Sequence, residues 1–494
     1  MSPETPTVLT TPDLLRHRAG VQPDGVAFIV DGGGELTYRD WDERSDAVAN
    51  QLVADGVGRG DRVGLLFGGL EWTDYAVGYF GVLKAGATAV HLNADMPACE
   101  LSRRLTLTSV SGLLHADGRA LPAGFSGWSA AVSGLDGGPG PVKAEVEPED
   151  IADIVFTSGT TGAAKAYTVP HGNATFGRTI GAMSAFGDSA YMLTMLQIAT
   201  SSSATALNIS TISQVVTVLG PLRDADRLGQ LIEQYRTGIV AITPYFADRL
   251  VALRLAEKYD LSSITMFACG SSPLAPARAK KLLELVPGAA ITSACSQSEA
   301  NPAICINTFD PERPMSVGRP TPVTELRIVD ESGEELPAGQ LGEIWLRHPA
   351  PKRLYLGLAE VNARIEADGW YRTGDLGRLD EEGFLHFFDR RVDAVRTADG
   401  LVSTPAVEAA LYEHPAVFEA AAFGVPAPGS PDGEVQHVAV AVVLDPDAGD
   451  VDLDAHLAGL LEPGQRPVRT VVLEKLPRNS QNKVLKRDLR ELYS

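Results

Sequence analysis

The sequence predicts an α/β protein: a large N-terminal domain of strand–helix units with parallel sheets, then a small α+β C-terminal domain. Two observations predict this class. Strand-like and helix-like patterns alternate through most of the chain, which is the signature of parallel strands joined by helical crossovers. Near residue 376 the pattern changes to hairpin-like alternation. A third observation sets the size. The chain has 494 residues, 44% hydrophobic and 21% charged, enough for more than one core and unlike a disordered composition. The boundaries read as 1–390 for the N-terminal domain, 391–393 for a hinge and 394–494 for the C-terminal domain.

The elements follow in order. "LTYRDWDERSDAVANQLVADGV" opens with Thr37 and Asp40 in capping-box spacing, places Trp41, Val48 and Leu52 on one helical face, and stops at Gly56. "DRVGLLF" reads as a buried strand. "EWTDYAVGYFGVLKAG" is a second helix closed by Gly86, and "ATAVHL" a second strand. The same unit returns in "RLGQLIEQYRTGIVAITP" and "ARAKKLLELVPGAAITSA". "LGRLDEEGFLHFFD" reads as a hairpin with its turn at Glu381–Gly383. Beyond it lie a short helix from Pro405, strands near Val417–Val425 and Val438–Leu444, and a basic tail, "RNSQNKVLKRDLREL".

Composition narrows the partners. A net charge of −21 repels nucleic-acid phosphates and anionic lipid, so neither nucleic acid nor a membrane surface is an expected partner. A phosphate site in so acidic a chain has to be local. The four cysteines, Cys99, Cys269, Cys295 and Cys305, form no C-x-x-C pair and read as reduced thiols, which favours a cytoplasmic location. No Cys/His cluster has zinc spacing. The N-terminus lacks a basic region followed by an apolar run. The longest uncharged stretch, Ser189 to Leu222, is rich in Ser, Thr, Asn and Gln, which argues against a membrane span.

One stretch points to chemistry. "FTSGTTGAAKAYTVPHG", Phe156 to Gly172, follows the apolar run Ile151–Phe156. Thr157, Ser158, Thr160 and Thr161 supply hydroxyl donors, Gly159 and Gly162 let the backbone approach a ligand, and Lys165 adds a cation. Donors without bulk beside a positive charge suit a polyphosphate. The glycine and lysine spacing is not that of a Walker A loop. Taken alone, the stretch also fits a flexible surface loop after a strand.

Four further motifs follow it: "ACSQSEA" with Ser298 and Glu299, "GWYRTGDLG" with Asp375, "DRRVDAV" with Arg391 and Asp393, and "LPRNSQNKVLKRDL" with Lys483. In this order the five resemble the adenylate-forming (ANL) superfamily of acyl-CoA synthetases, adenylation domains and luciferase-like ligases, and the resemblance covers nearly the whole chain. It implies ATP and Mg²⁺ as cofactors. It implies that Thr157, Ser158, Gly159, Thr160, Thr161 and Gly162 grip the β- and γ-phosphates, with Lys165 beside them. It implies Ser298 at the α-phosphate, Glu299 as the magnesium ligand, Asp375 on the ribose hydroxyls and Arg391 near ribose and phosphate. Gly270, in "CGSSP", would edge the adenine. Lys483 would reach the acid oxygen and the α-phosphate, and a mobile C-terminal domain would pivot at Asp393.

Such chemistry needs this set, because attack on the α-phosphate crowds anions together and cations must offset the developing charge. Single residues carry little of the argument: Glu299 alone reads as a loop acid, Lys483 as a surface lysine, Asp375 as a turn residue. The pattern also departs from the family. Ala164 and Ala166 flank the loop lysine, Cys295–Ser296 replaces an aromatic–glycine pair, and Asn482 replaces a glycine before the lysine. "LQIATSSSA" places Thr200 near an expected histidine, so Thr200, Ser201 and Ser202 are the candidate contacts for the acid. No acidic residue between Ser189 and Leu222 is present to hold an α-amino group, which disfavours an α-amino acid. The resemblance leaves the acceptor open among CoA, a carrier-protein thiol and an amine. Two alternatives stand beside it: a diazotase-like enzyme adenylating nitrite for an aryl amine, and a non-catalytic nucleotide-binding relative.

Overall fold

A computed structural model describes residues 10–142, 144–157, 164–178, 190–221, 224–270, 272–430, 434–446, 448–479 and 482–493. The strand–helix units of the first half fold as parallel sheets, as their alternation predicts. Arg62–Phe67 pairs in parallel with Thr88–Asn93 on one side and Gly112–His115 on the other. These belong to a sheet that continues through Ile151–Phe156 and Ala166–Pro170 to the short strand Leu354–Tyr355. A second sheet runs from Cys305–Thr308 through Ala290–Cys295, Met266–Cys269, Ile239–Ile242, Tyr191–Thr194 and Val216–Leu219 to Val26–Val30.

Helices Tyr38–Ala54 and Trp72–Lys84 form where expected. Thr37 caps the first by accepting from the Asp40 amide at 3.1 Å. Trp41 shows why this pair holds together. It is fully buried, packs edge-on against Phe28 and Phe80, and donates its indole N–H to the Ala76 carbonyl at 3.0 Å. Truncating such a ring costs about 3–5 kcal/mol.

The N-terminal region also contains what the strand–helix reading missed. Glu325–Val329, Gly342–Arg347, Tyr371–Leu379 and Leu385–Arg390 form an antiparallel four-stranded sheet. The expected hairpin is its last pair. The turn closes with the Gly383 amide on the Asp380 carbonyl at 3.0 Å, and Gly383 has φ +81°, a conformation costly for any residue with a Cβ.

Residues 391–393 lie between this sheet and the ribbon Val395–Thr397/Gly400–Val402. Beyond them, helix Thr404–Tyr412 packs on strand Val417–Pro426, which pairs with Gln436–Leu444 and, through it, with Arg469–Val472. The basic tail ends as helix Lys486–Tyr493. Among the described residues no helix is long and apolar enough to cross a membrane.

Candidate functional site

Four adjacent parallel strands of the second sheet end on the same side. Tyr191–Thr194, Ile239–Ile242, Met266–Cys269 and Ala290–Cys295 lie side by side with parallel registers. The chain leaving their carboxyl ends carries Thr200–Ser202, Tyr245, Gly270 and Gln297–Glu299 respectively. Ligands of open α/β sheets bind in this crevice, where loops rather than strands present side chains.

Ser298 and Glu299 sit in a single 3₁₀ turn after Ala290–Cys295. Glu299 is half-buried, and its Oε1 accepts the Tyr355 hydroxyl at 3.0 Å. Burial, then the Glu299 charge, pushes the Tyr355 phenol far up, so it stays a donor. Lys165, just before the strand that pairs with Leu354–Tyr355, reaches the same tyrosine, its Nζ 5.7 Å from the ring centroid. The base of the hydroxyl-rich loop is therefore fixed close to Glu299. Thr157 and Lys165 close that base, amide to carbonyl at 2.9 Å and amide to Thr157 Oγ1 at 3.0 Å. Ser158, Gly159, Thr160, Thr161 and Gly162 lie outside the described residues.

Arg353, which the sequence reading passed over, supports the Ser298 turn. It is buried, donates to the Ser298 carbonyl, and donates its Nε to Asn173 Oδ1 at 2.7 Å. An isolated arginine in "PKRLYLG" carries no signal of such a role.

Asp375, on strand Tyr371–Leu379, faces the turn from the opposite side. Gln297 Nε2 donates to its Oδ2 at 3.2 Å and to the Thr373 carbonyl at 2.6 Å. Burial raises the Asp375 carboxyl above the usual carboxylate range, against the pull of Arg390. Arg390 lies 3.8 Å from Asp375 Oδ1. Arg391, the arginine picked out in the sequence, turns instead to Glu343 Oε2 at 3.1 Å, and its amide donates to the Gly374 carbonyl at 2.8 Å. Strand register explains the exchange. Arg390 pairs across the ladder with Asp375, and alternate side chains point to opposite faces.

Lys483 joins these groups from the C-terminal tail. Burial, reinforced by the Arg390 charge, pushes its ammonium down to about 8, while Glu299 and Asp375 oppose the shift. Its loop is pinned by the Asn479 side chain, whose Oδ1 accepts the Lys483 amide at 3.0 Å. Asn482 has φ +62°. This explains the departure noted in the sequence, because asparagine is among the few non-glycine residues that tolerate the left-handed region.

Gly270 ends strand Met266–Cys269, and a Cβ there would meet no protein atom within 4 Å. Thr200 caps helix Ser201–Ile212: its Oγ1 donates to the Gln197 carbonyl at 2.8 Å and accepts the Ser203 amide at 3.3 Å. Ser201 accepts the Tyr167 hydroxyl at 2.9 Å. Ser202 is exposed. Asp393 pairs with Arg490 Nη1 at 3.0 Å, which ties the expected pivot to the last helix.

No group of three or more Asp, Glu, His or Cys side chains among the described residues could hold a metal ion. A single carboxylate such as Glu299 fits Mg²⁺ that also takes oxygens from a phosphate ligand, the usual mode for this hard cation.

Residues 15–356 match the family described as "AMP-binding enzyme", and residues 406–483 match "AMP-binding enzyme C-terminal domain". A feruloyl-CoA synthase of Amycolatopsis sp is 29% identical over 97% of this chain and 98% of its own length. The o-succinylbenzoate CoA synthetase (MenE) from Bacillus subtilis, solved with its acyl-adenylate OSB-AMP, superposes with a TM-score of 0.83 at 24% identity, over 97% of this chain and 98% of that one. The amide bond synthetase McbA from Marinactinospora thermotolerans gives a TM-score of 0.81 at 24% identity, over 98% and 99%.

Proposed function

The chain belongs to the AMP-binding enzyme family, and on that premise we propose that it joins a carboxylic acid to AMP and then passes the acyl group to the thiol of CoA. The protein is an ATP-dependent adenylate-forming ligase that uses ATP with Mg²⁺. The acid and the acceptor are the proposal. The observation that supports it best is the convergence of Lys483, Arg390, Glu299 and Asp375 on one crevice.

In the first step a carboxylate oxygen attacks the α-phosphorus of ATP. The bond from that phosphorus to the bridging oxygen breaks, and pyrophosphate leaves with the electron pair. Lys483 offsets charge on the attacking and α-phosphoryl oxygens, and Arg390 and Asp375 hold the ribose side. Glu299 would hold Mg²⁺, which neutralises the phosphates when bound. In the second step the thiol sulfur, having given up its proton, attacks the acyl carbon and AMP departs. Residues 1–390 serve as the adenylation core, 391–393 as the hinge with Asp393 as pivot, and 394–494 as the small domain carrying Lys483.

CoA is preferred as acceptor because the feruloyl-CoA synthase, aligned over nearly its full length, is named for that thioester. An amine acceptor is the second reading, carried by the likeness to an amide bond synthetase. The nitrite alternative draws no support from these relatives. The test is pyrophosphate release from ATP and Mg²⁺ with ferulate, a long-chain fatty acid, o-succinylbenzoate, and nitrite with an aryl amine, each with and without CoA. Release with a carboxylic acid and a CoA thioester product is expected. Release only with nitrite overturns the reading, as does release with a carboxylic acid that yields no thioester when CoA is present.

A further inference from the structure

Lys483 sits on a separate domain, so something must hold that domain in place while the lysine works. One set of directed contacts across the gap, away from the chain connection itself, centres on Arg278, in helix Pro276–Leu285 of the large domain. Arg278 is buried. Its Nη2 donates to the Val417 carbonyl at 2.7 Å and to the Phe418 carbonyl at 2.6 Å, at the start of the small domain's first long strand. Asp248, in helix Pro244–Ala252, pairs with its Nε at 3.0 Å, and the guanidinium lies 4.6 Å from the Tyr412 ring centroid of the small domain.

The contacts continue toward the lysine. Glu419, the next residue along the strand, pairs with Arg478 at 3.0 Å. Arg478 Nη1 donates to the Asn482 carbonyl at 2.6 Å, one residue before Lys483. Its guanidinium also lies 5.5 Å from the ring of Tyr245 of the large domain, at the mouth of the crevice. Arg249 braces the same joint, 5.1 Å from the Phe418 ring and 5.3 Å from the Tyr245 ring.

We propose that Arg278, held by Asp248, is a positioning residue that clamps the small domain against the large one in the orientation that brings Lys483 into the crevice. The clamp grips backbone carbonyls, so it depends on the position of the strand rather than on a side chain opposite. Arginine suits it because one planar guanidinium serves two carbonyls and a carboxylate together, which an ammonium on a flexible stem does less well. Asp248 offsets a cation that would otherwise be buried unpaired. Releasing Arg278 frees the small domain to rotate and withdraws Lys483. The proposal rests on the reading of Lys483 as the adenylation lysine.

The test uses the full chain with Cys99 replaced by serine and spin labels on cysteines placed at Glu257 and Val468, both exposed and on opposite sides of the joint. With ATP and Mg²⁺ present, one dominant inter-label distance is expected. Arg278→Ala should add a second or broadened population and lower pyrophosphate release roughly tenfold, the effect of losing charge-assisted hydrogen bonds. Arg278→Lys should fall between. Arg278→Ala/Asp248→Asn removes the carboxylate stranded by the single change and should behave alike if the single variant fails to fold. Lys483→Ala should lose pyrophosphate release and keep the single distance. An unchanged distance distribution in both Arg278 variants overturns the clamp, as does a broad distribution in the unsubstituted protein. If Lys483→Ala keeps its rate, the reading of the lysine fails, and the distances still decide the clamp.

Discussion

Arg390, not its neighbour Arg391, faces Asp375: its Nε is 3.8 Å from Oδ1, while Arg391 pairs with Glu343 at 3.1 Å. The Arg390 charge also helps lower the Lys483 ammonium. Arg390→Ala should therefore slow adenylation by about 10²-fold, as expected for a cation near developing charge. Arg391→Ala breaks a surface pair and should change the rate by about twofold at most. Pyrophosphate release from the two variants settles the assignment. A larger loss in Arg391→Ala returns the role to Arg391.

The depressed pKa of Lys483 makes a second prediction. The lysine offsets charge only while protonated, and its ammonium titrates at about 8 in the free protein. Its contribution is thus full below that value and lost as pH rises through it. kcat/KM for ATP, which reports the free enzyme, should fall above about pH 8. A guanidinium in place of the ammonium would stay charged throughout, so Lys483→Arg should start lower but show no decline in that range. A decline at the same pH in both proteins would assign the titration to another group.

These two cases show where the sequence was readable. Long amphipathic helices and buried strands of the first half were legible because each needs only local periodicity. Thr37 and Trp41 announce a helix and its buried face without outside help. Of the antiparallel sheet beginning at Glu325 only the last hairpin was legible, since its other strands are joined by loops and by helix Ala359–Asp368 and carry a mixed burial pattern. Motif residues such as Glu299, Asp375 and Lys483 were legible through their order. Their supports were not. Tyr355, Arg353 and Gln297 act through distances that only the packing of distant segments creates. Register also lies outside a motif, so the choice between Arg390 and Arg391 required the ladder.

Tyr355 offers a third prediction. Its hydroxyl donates to Glu299 and so orients the carboxylate that would meet Mg²⁺. Tyr355→Phe keeps the ring beneath Lys165 and removes only that bond. Loss of such an outer partner weakens metal binding by about 10–100-fold. The Mg²⁺ concentration for half-maximal turnover should rise within that range, with the maximal rate largely kept. Glu299→Gln should raise it further, and added Mg²⁺ should rescue it only in part, because an amide keeps the shape and loses the charge. Unchanged Mg²⁺ dependence in both variants would make Glu299 a loop acid.

The fourth prediction separates the three hydroxyls offered by the sequence as acid contacts. Thr200 and Ser201 already have partners: Thr200 caps its helix through Gln197 and Ser203, and Ser201 accepts from Tyr167. Thr200→Ala should therefore act on stability, lowering it by about 1 kcal/mol as lost caps do, and that loss appears as a lower Tm. Ser202 is exposed in the first turn of the same helix, and its hydroxyl has no hydrogen-bond partner among the described residues. Its side chain is the one of the three free to meet a substrate. Ser202→Phe should raise the KM for the acid by about tenfold or lower kcat, while KM for ATP moves little, because only one of the two substrates loses its room. Acid kinetics measured at saturating ATP, beside a thermal melt of each variant, read both effects. If Ser202→Phe leaves acid kinetics unchanged while Thr200→Ala alters them without lowering Tm, the acid lies against the cap and not against the exposed turn.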